Sequence, residues 1–187
     1  MYLAEGDLVI RNARPADAET LCRWWNDGKV MEHAGFPLGL ATDAASIRSE
    51  LAADSDEGQR RLMIEIDSVP VGEMSYHRKD GNVAEIGIKI CDSNKHDKGY
   101  GSRFLSMLIE SLFNDLGFTK IILDTNLKNT RAHHVYEKLG FKKVATRLDA
   151  WKNQVGELMS FVDYELSKAD YMNRPGKETR RENIAER

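Results

Sequence analysis

Asn129-Thr130-Arg131-Ala132-His133-His134-Val135-Tyr136-Glu137-Lys138-Leu139-Gly140-Phe141 is the stretch on which the reading of this chain turns. Asn129 suits an N-cap, because its side-chain oxygen accepts from an amide of the first helical turn. Ala132, Val135, Tyr136 and Leu139 then fall on one side of a short helix. Gly140 offers the left-handed residue that ends such a helix. Just upstream, residues 120–125 are rich in β-branched and aliphatic side chains and predict a strand. By periodicity alone, Tyr136 is a core aromatic of this strand–helix unit.

Upstream of that strand the chain has helical period. Over residues 102–116, Leu105, Leu108, Ile109, Leu112 and Leu116 form a 3.6-residue stripe, and Gly117 supplies the stop. His96-Asp97-Lys98-Gly99-Tyr100-Gly101 leads into this helix. A helix start carries unpaired N–H groups and a partial positive charge, which favour an anion. Gly99 and Gly101 remove side chains from the approach, and Lys98 adds a positive charge. The loop fits a pyrophosphate. It is not a Walker A sequence, which needs GxxxxGK[ST], nor a dinucleotide fingerprint, since the third glycine is missing. The alternative is a tight turn and nothing more.

Residues 83–91 form a strand that alternates: Ile86, Ile88 and Ile90 face one way, Glu85, Gly87 and Lys89 the other. Asp80-Gly81 closes a hairpin onto residues 69–76, with Ser68 and Pro70 near the preceding turn and residues 62–66 as a further strand. A short apolar run at residues 7–11 starts the sheet. Pro15 opens a helix that includes Ala18, Leu21, Cys22 and Trp25, and Thr42 is the expected N-cap of a second helix with Ile47 and Leu51. Residues 141–146 and 156–166 are expected as final strands. The order is helices, an antiparallel run, then strand–helix–strand–helix–strand: a mixed α/β single domain over residues 1–168, followed by a polar tail, 169–187, expected to be poorly ordered.

The totals set outer bounds. A chain of 187 residues with 41% hydrophobic and 30% charged residues is long enough for one domain with a core. A formal charge of −3 gives nucleic acid or an anionic membrane no overall attraction. No stretch approaches the roughly 20 apolar residues of a spanning helix, and residues 1–14 do not read as a secretory signal. Cys22 and Cys91 stand far apart without a CxxC pair, so neither zinc nor a disulfide framework is expected and a cytoplasmic location is. His133-His134 point in different directions on a helix and have no third ligand in range, so no metal is expected.

The two motifs together resemble those of the GNAT acetyltransferase superfamily. There a [QR]-x-x-G-x-[GA] loop opens a helix on the coenzyme A pyrophosphate, and an N-x-x-[AS] helix start with a following Tyr and a terminal G-F lies about 25–30 residues downstream. Asn129, Ala132, Tyr136, Gly140 and Phe141 fall in register; the first loop position, Gln or Arg in the family, is His96, whose imidazole still donates to a phosphate. Tyr136-Glu137-Lys138-Leu139-Gly140-Phe141 and Leu112-Phe113-Asn114-Asp115 look most like the branch of ribosomal-protein N-terminal, spermidine and aminoglycoside 6′-acetyltransferases.

The resemblance implies acetyl-coenzyme A as acetyl donor, no metal, and a primary amine as acceptor: a protein N-terminus or a small polyamine- or aminoglycoside-like molecule. It also implies a central strand pair that splays so that the pantetheine arm pairs with the freed edge, which brings Ile88 and Ile90 to the cofactor, with a backbone N–H near Ile90 as oxyanion donor. His96, Lys98, Gly99, Tyr100, Gly101 and Ser102 would hold the pyrophosphate, and Asn129 would also reach the cofactor. Acetylating an amine needs a base for the nitrogen and an acid for the departing thiolate. Tyr136 matches the family's acid. Asp124, at the end of the strand before Asn129, and Glu85, on the polar face of the central strand, are alternative bases. A homodimer through the last strands is common in this family. The acceptor would lie near Trp24, Trp25, His33 and Phe36, the aromatics serving for cation–π contact or for packing; the acidic loop 54–57 either draws in a polycation or is merely solvated. The reading from another class is a non-catalytic module that keeps the fold and senses acyl-coenzyme A.

Overall fold

The computed structural model describes residues 1–174. Its centre is an eight-stranded sheet in the order β1-β2-β3-β4-β5-β6-β8-β7. The strands are β1 (Tyr2–Glu5), β2 (Leu8–Asn12), β3 (Gln59–Ile66), β4 (Val69–Lys79), β5 (Val83–Ile90), β6 (Lys120–Asn126), β7 (Lys142–Lys152) and β8 (Leu158–Ser167). The helices are α1 (Ala18–Trp25), α2 (Gly28–Met31), α3 (Ala44–Ala53), α4 (Tyr100–Asn114), α5 (Thr130–Lys138) and α6 (Lys168–Met172).

Neighbouring strands run antiparallel except β5 and β6, which are parallel. Parallel neighbours need a long crossover, and α4 supplies it. The β5–β6 ladder holds only at Val83–Lys120, Ala84–Ile121 and Glu85–Ile122. Both strands continue beyond these pairs without pairing to each other, to Ile90 and Asn126. The sheet therefore opens into a wedge at its centre, the splay that the resemblance implies.

Helical period decides what closes the sheet. Phe104, Leu105, Leu108, Ile109, Leu112 and Phe113 of α4 are buried against Leu62, Ile64, Met74, Tyr76 and Ile86, and α5 adds Tyr136 to the same core. Fully burying each large apolar side chain contributes about 1.5–3 kcal/mol before entropy is counted. A smaller cluster on the opposite face packs Ala18, Leu21, Ile47 and Leu51 against Met63. The alternation of β3 separates the two: Leu62 and Ile64 point one way, Met63 the other.

Several local readings change. Asp43, not Thr42, caps α3: its Oδ1 accepts from Ser46 N at 2.8 Å. Thr42 instead exchanges backbone bonds with the Asn26 amide, which donates to Thr42 O at 2.8 Å and accepts from Thr42 N at 2.9 Å. The N-terminal hairpin β1–β2 was not anticipated; Gly6, at φ +62°, makes its turn. The acidic loop is partly tied down: the Asp54 side chain is 5% exposed, whereas those of Asp56 and Glu57 stay 48% and 90% exposed. Asp54 is bound by Arg61, and Asp56 accepts from the Tyr76 hydroxyl and from Arg60, each at 2.7 Å. The folded unit also passes residue 168: α6 follows β8 directly, and its buried Tyr171 packs at a tilt against Phe113, ring centres 5.2 Å apart. Residues 175–187, where most of the expected tail falls, lie outside the described residues.

Candidate active site

The wedge between β5 and β6 is the floor of a cleft of about 1350 Å³. Its edge on the β5 side is bare backbone. In an antiparallel pair, alternate residues turn their N–H and C=O toward the partner strand and the rest turn them away. Cys91 N donates to Val71 O at 2.8 Å, so by the two-residue period Lys89 and Gly87 also face β4. Ile88 and Ile90 then turn their backbone groups into the cleft that they line.

At the end of this edge the chain turns through Ser93–Lys95 and reaches α4. Gly99 is the N-cap at φ +79°, a conformation an L side chain resists, and no side chain caps the helix. The first intrahelical bond beyond it is Arg103 N to Gly99 O, so the preceding amides of Tyr100, Gly101 and Ser102 have no helical acceptor. A Cβ built at Gly99 or at Gly101 would meet nothing within 4 Å. Uncapped amides beneath open space fit a pyrophosphate oxyanion. Tyr100, Gly101 and Ser102 all line the cleft; Lys98 does not, whereas Lys95, Arg131 and Lys138 do.

The first loop position behaves differently from the expectation. His96 Nε2 donates to the Ile90 carbonyl at 2.8 Å. Its ring therefore ties the loop before α4 to the end of β5 while still lining the cleft. The Ile90 N–H is left for the cleft.

Asn129 caps α5, its Oδ1 accepting from Ala132 N at 3.3 Å while its amide donates to Thr125 Oγ1 at 3.3 Å. The cap sets the start of α5, and Tyr136 follows two turns later. Tyr136 is 7% exposed, and its ring lies 5.9 Å from Phe141 and 5.7 Å from Tyr164. It also lines the cleft. It is thus both a core aromatic and a site residue. Its hydroxyl bonds to no described residue. Burial, then the nearby charge of Asp124 and the neighbouring Tyr164, push it up to about 12. It keeps its proton at any physiological pH.

The two expected carboxylates part company. Asp124 lines the cleft, but Arg147 Nη2 holds its Oδ2 at 2.5 Å. Glu85 is not brought to the site. It sits on the last paired rung before the wedge, its Oε2 is 2.8 Å from Lys79 Nζ, and it is absent from the cleft lining. Of the four residues expected around the acceptor, Trp25 and His33 line the cleft. Trp24 packs beside the α1–α3 cluster, and Phe36 packs at a tilt against Trp151, ring centres 6.0 Å apart. His133 uses both ring nitrogens, one with the Tyr164 hydroxyl at 2.9 Å and one donating to Leu127 O at 3.1 Å.

Sequence reading missed Glu73. It lies within β4 yet is only 9% exposed, and it accepts from Trp25 Nε1 at 2.9 Å and Lys89 Nζ at 2.8 Å. The available signal was an acid flanked by Val71, Gly72 and Met74 in a strand otherwise apolar there. Cys91, also in the lining, is pushed up to about 12, by burial first and then by the charge of Glu73. At neutral pH only about one part in 10⁵ of such a thiol is thiolate.

Known proteins share this fold. Residues 7–142 match the family model of the acetyltransferase (GNAT) domain. The N-acetyltransferase p20 of Bacillus licheniformis is 22% identical over 170 residues, covering 88% of this chain and 94% of that protein. An aminoglycoside N(6′)-acetyltransferase type 1 of Klebsiella pneumoniae is 37% identical over 67 residues, 36% of this chain and 33% of that protein. Among solved structures, the spermidine N-acetyltransferase of Vibrio cholerae in complex with CoA and spermine superposes with a TM-score of 0.80 at 18% identity, covering 90% of this chain and all of that one (100%). With its central wedge, its glycine-framed helix start and a family match across most of its length, this chain belongs to the GNAT acetyltransferase family.

Proposed function

We propose that the protein transfers an acetyl group from acetyl-coenzyme A to a primary amine on a small molecule, by direct attack on the thioester. The observation that carries this reading is the continuity of one cleft. It runs from the uncapped amides of α4, along the bare edge of β5 at Ile88 and Ile90, to the Tyr136 hydroxyl. A pyrophosphate, an extended amide-bearing arm and a thioester, in that order, suit those three surfaces. Two of the similar proteins point to amines: one is an aminoglycoside acetyltransferase and one a spermidine acetyltransferase.

The residues divide the work by position. Gly99 and Gly101 leave room for the pyrophosphate at the α4 amides, with Lys95 and Arg131 as cations in reach of the same end. The Ile90 N–H faces the place where the thioester oxygen gathers negative charge. Tyr136 donates a proton to the departing sulfur, its hydroxyl being fully protonated beforehand. Asp124, in the grip of Arg147, shapes the field around Tyr136. The protonated state of Cys91 supports direct transfer over an acetyl-cysteine route, which would need a thiolate in the cleft.

The test is a thiol-release assay with acetyl-coenzyme A and a panel of polyamines, aminoglycosides and N-terminal peptides, with acetylated products identified by mass. Release with a small amine is the expected result. Binding of acetyl-coenzyme A without release for any panel member would overturn the reading and leave the acyl-coenzyme A sensor.

A further inference from the structure

Among the described residues, Glu73 is a buried carboxylate of the cleft lining with one oxygen left for a ligand. It stands opposite Lys89 in the β4–β5 register and opposite Met63 in the β3–β4 register. Both of its protein donors, Trp25 Nε1 and Lys89 Nζ, converge on Oε1. Oε2 accepts from no described residue. No buried side-chain polar atom among the described residues lacks a partner, so Oε2 is open to the cleft that Glu73 lines. Three other carboxylates of the lining have partners among the described residues. Arg147 holds Asp124, Arg61 holds Glu50 at 2.7 Å, and Asp27 accepts from Lys29 N at 2.9 Å to start α2.

We infer that Glu73 receives the acceptor's amine at Oε2 and takes its proton, and that Lys89 sets the state in which that amine rests there. The inference rests on the amine-acetylation reading above. An amine enters from water as an ammonium and is unreactive until it loses a proton. Glu73 attracts it. Lys89, already on Oε1, is a like charge that disfavours a second cation beside it. The ammonium therefore passes one proton to Oε2, and from there to solvent. The neutral nitrogen forms the N–C bond with the thioester carbonyl and the C–S bond breaks. Tyr136 gives its proton to the sulfur, and the second nitrogen proton restores the Tyr136 hydroxyl through water. The products are an amide, a thiol and one proton released.

The other charged or titratable groups on the elements around Glu73 are accounted for. Arg61 and Glu65 flank Met63 on β3, and they pair with Asp54 and Glu50, and with Arg11, respectively. Cys91 follows β5 and keeps its proton. Asp27 follows α1. Lys89 is the cation that meets Glu73.

The experiment compares wild type, Glu73→Gln and Glu73→Asp over pH 6–10 with an amine that the wild type acetylates. Acetyl-coenzyme A binding is measured alongside by calorimetry. Glu73→Gln should lower kcat/KM for the amine at least 30-fold at pH 7 and recover most of it near pH 10, where solvent deprotonates the amine. Acetyl-coenzyme A affinity should stay within about two-fold, and Glu73→Asp should restore part of the rate at pH 7. Lys89→Met should move the rise of kcat/KM about one pH unit upward. A Glu73→Gln rate near wild type, or a loss equal at every pH, would overturn the inference, the latter marking a structural role. If Glu73→Gln does not bind acetyl-coenzyme A, the pH profiles of Glu73→Asp and Lys89→Met decide, and unchanged profiles overturn it. Wild-type failure on every amine would instead overturn the function itself.

Discussion

Arg147 Nη2 sits 2.5 Å from Asp124 Oδ2, and the same guanidinium holds Asp163 Oδ1 at 2.8 Å. β7 thus lays a cation across two acids, one on β6 and one on β8. The Asp124 carboxylate is thereby committed to an ion pair that ties β6, β7 and β8 together.

Asp124→Asn should therefore lower kcat less than ten-fold, whereas Tyr136→Phe should lower it ten-fold or more with acetyl-coenzyme A affinity nearly unchanged. Steady-state kinetics with equilibrium binding of acetyl-coenzyme A checks both. Equal losses in the two variants would return Asp124 to the role of base, and full turnover in Tyr136→Phe would remove Tyr136 from the role of acid.

The Tyr136 hydroxyl also predicts a pH profile. Its raised value keeps the acid form until the pH nears 12. kcat should rise as the acceptor loses its proton and then stay flat to pH 10, with no alkaline limb from the acid. The stability linkage has the same sign: the advantage of the neutral phenol is complete below the ordinary tyrosine value near 10 and disappears as pH climbs through about 12. A decline in kcat centred between pH 8 and 9 would contradict the assignment.

Gly101 separates binding from folding. A Cβ there meets nothing within 4 Å, and its φ does not lie in the left-handed region. Gly101→Val should fold, with thermal stability changed by about 1 kcal/mol or less from helix propensity, while KM for acetyl-coenzyme A rises at least ten-fold. Gly99→Val at φ +79° should also lose stability, about 1–2 kcal/mol. Thermal melts and KM values for the two variants distinguish them.

Asp17 offers an acid-side test of stability. Burial raises its carboxyl, but the hydrogen bonds from Arg11, at 2.7 and 2.8 Å, outweigh this and hold it below the usual carboxylate range. Its contribution is present above the ordinary value near 4 and is lost as pH falls through its own lower value. Asp17→Asn should cost about 1–3 kcal/mol at pH 7, where it leaves Arg11 less well paired, and progressively less below pH 4. Denaturant melts at pH 7 and pH 3 measure the difference.

Short-range signals were legible because they act within a few residues. Asn129 caps α5 through an amide three positions on, Gly99 needs only its own φ, and the α4 stripe repeats every turn. Which carboxylate the fold brings to the cleft was not legible. Glu85 has the right strand and the right polar face, but pairing of β5 with β6 persists through its position, so it stays outside the wedge. His96 matched a motif position, yet its ring went to Ile90 O, six residues back.

The sequence alone determined most of the elements and the kind of ligand that a glycine-framed helix start accepts, since capping, helical period and anion affinity depend on neighbouring residues. The tertiary structure alone decided which charges meet. Trp25 and Glu73 are 48 residues apart, and Asp124 and Arg147 are 23 apart. Their encounters follow from strand order and from where β5 leaves β6. Alternation along a strand says which face a carboxylate takes, not which cation another strand will bring to it.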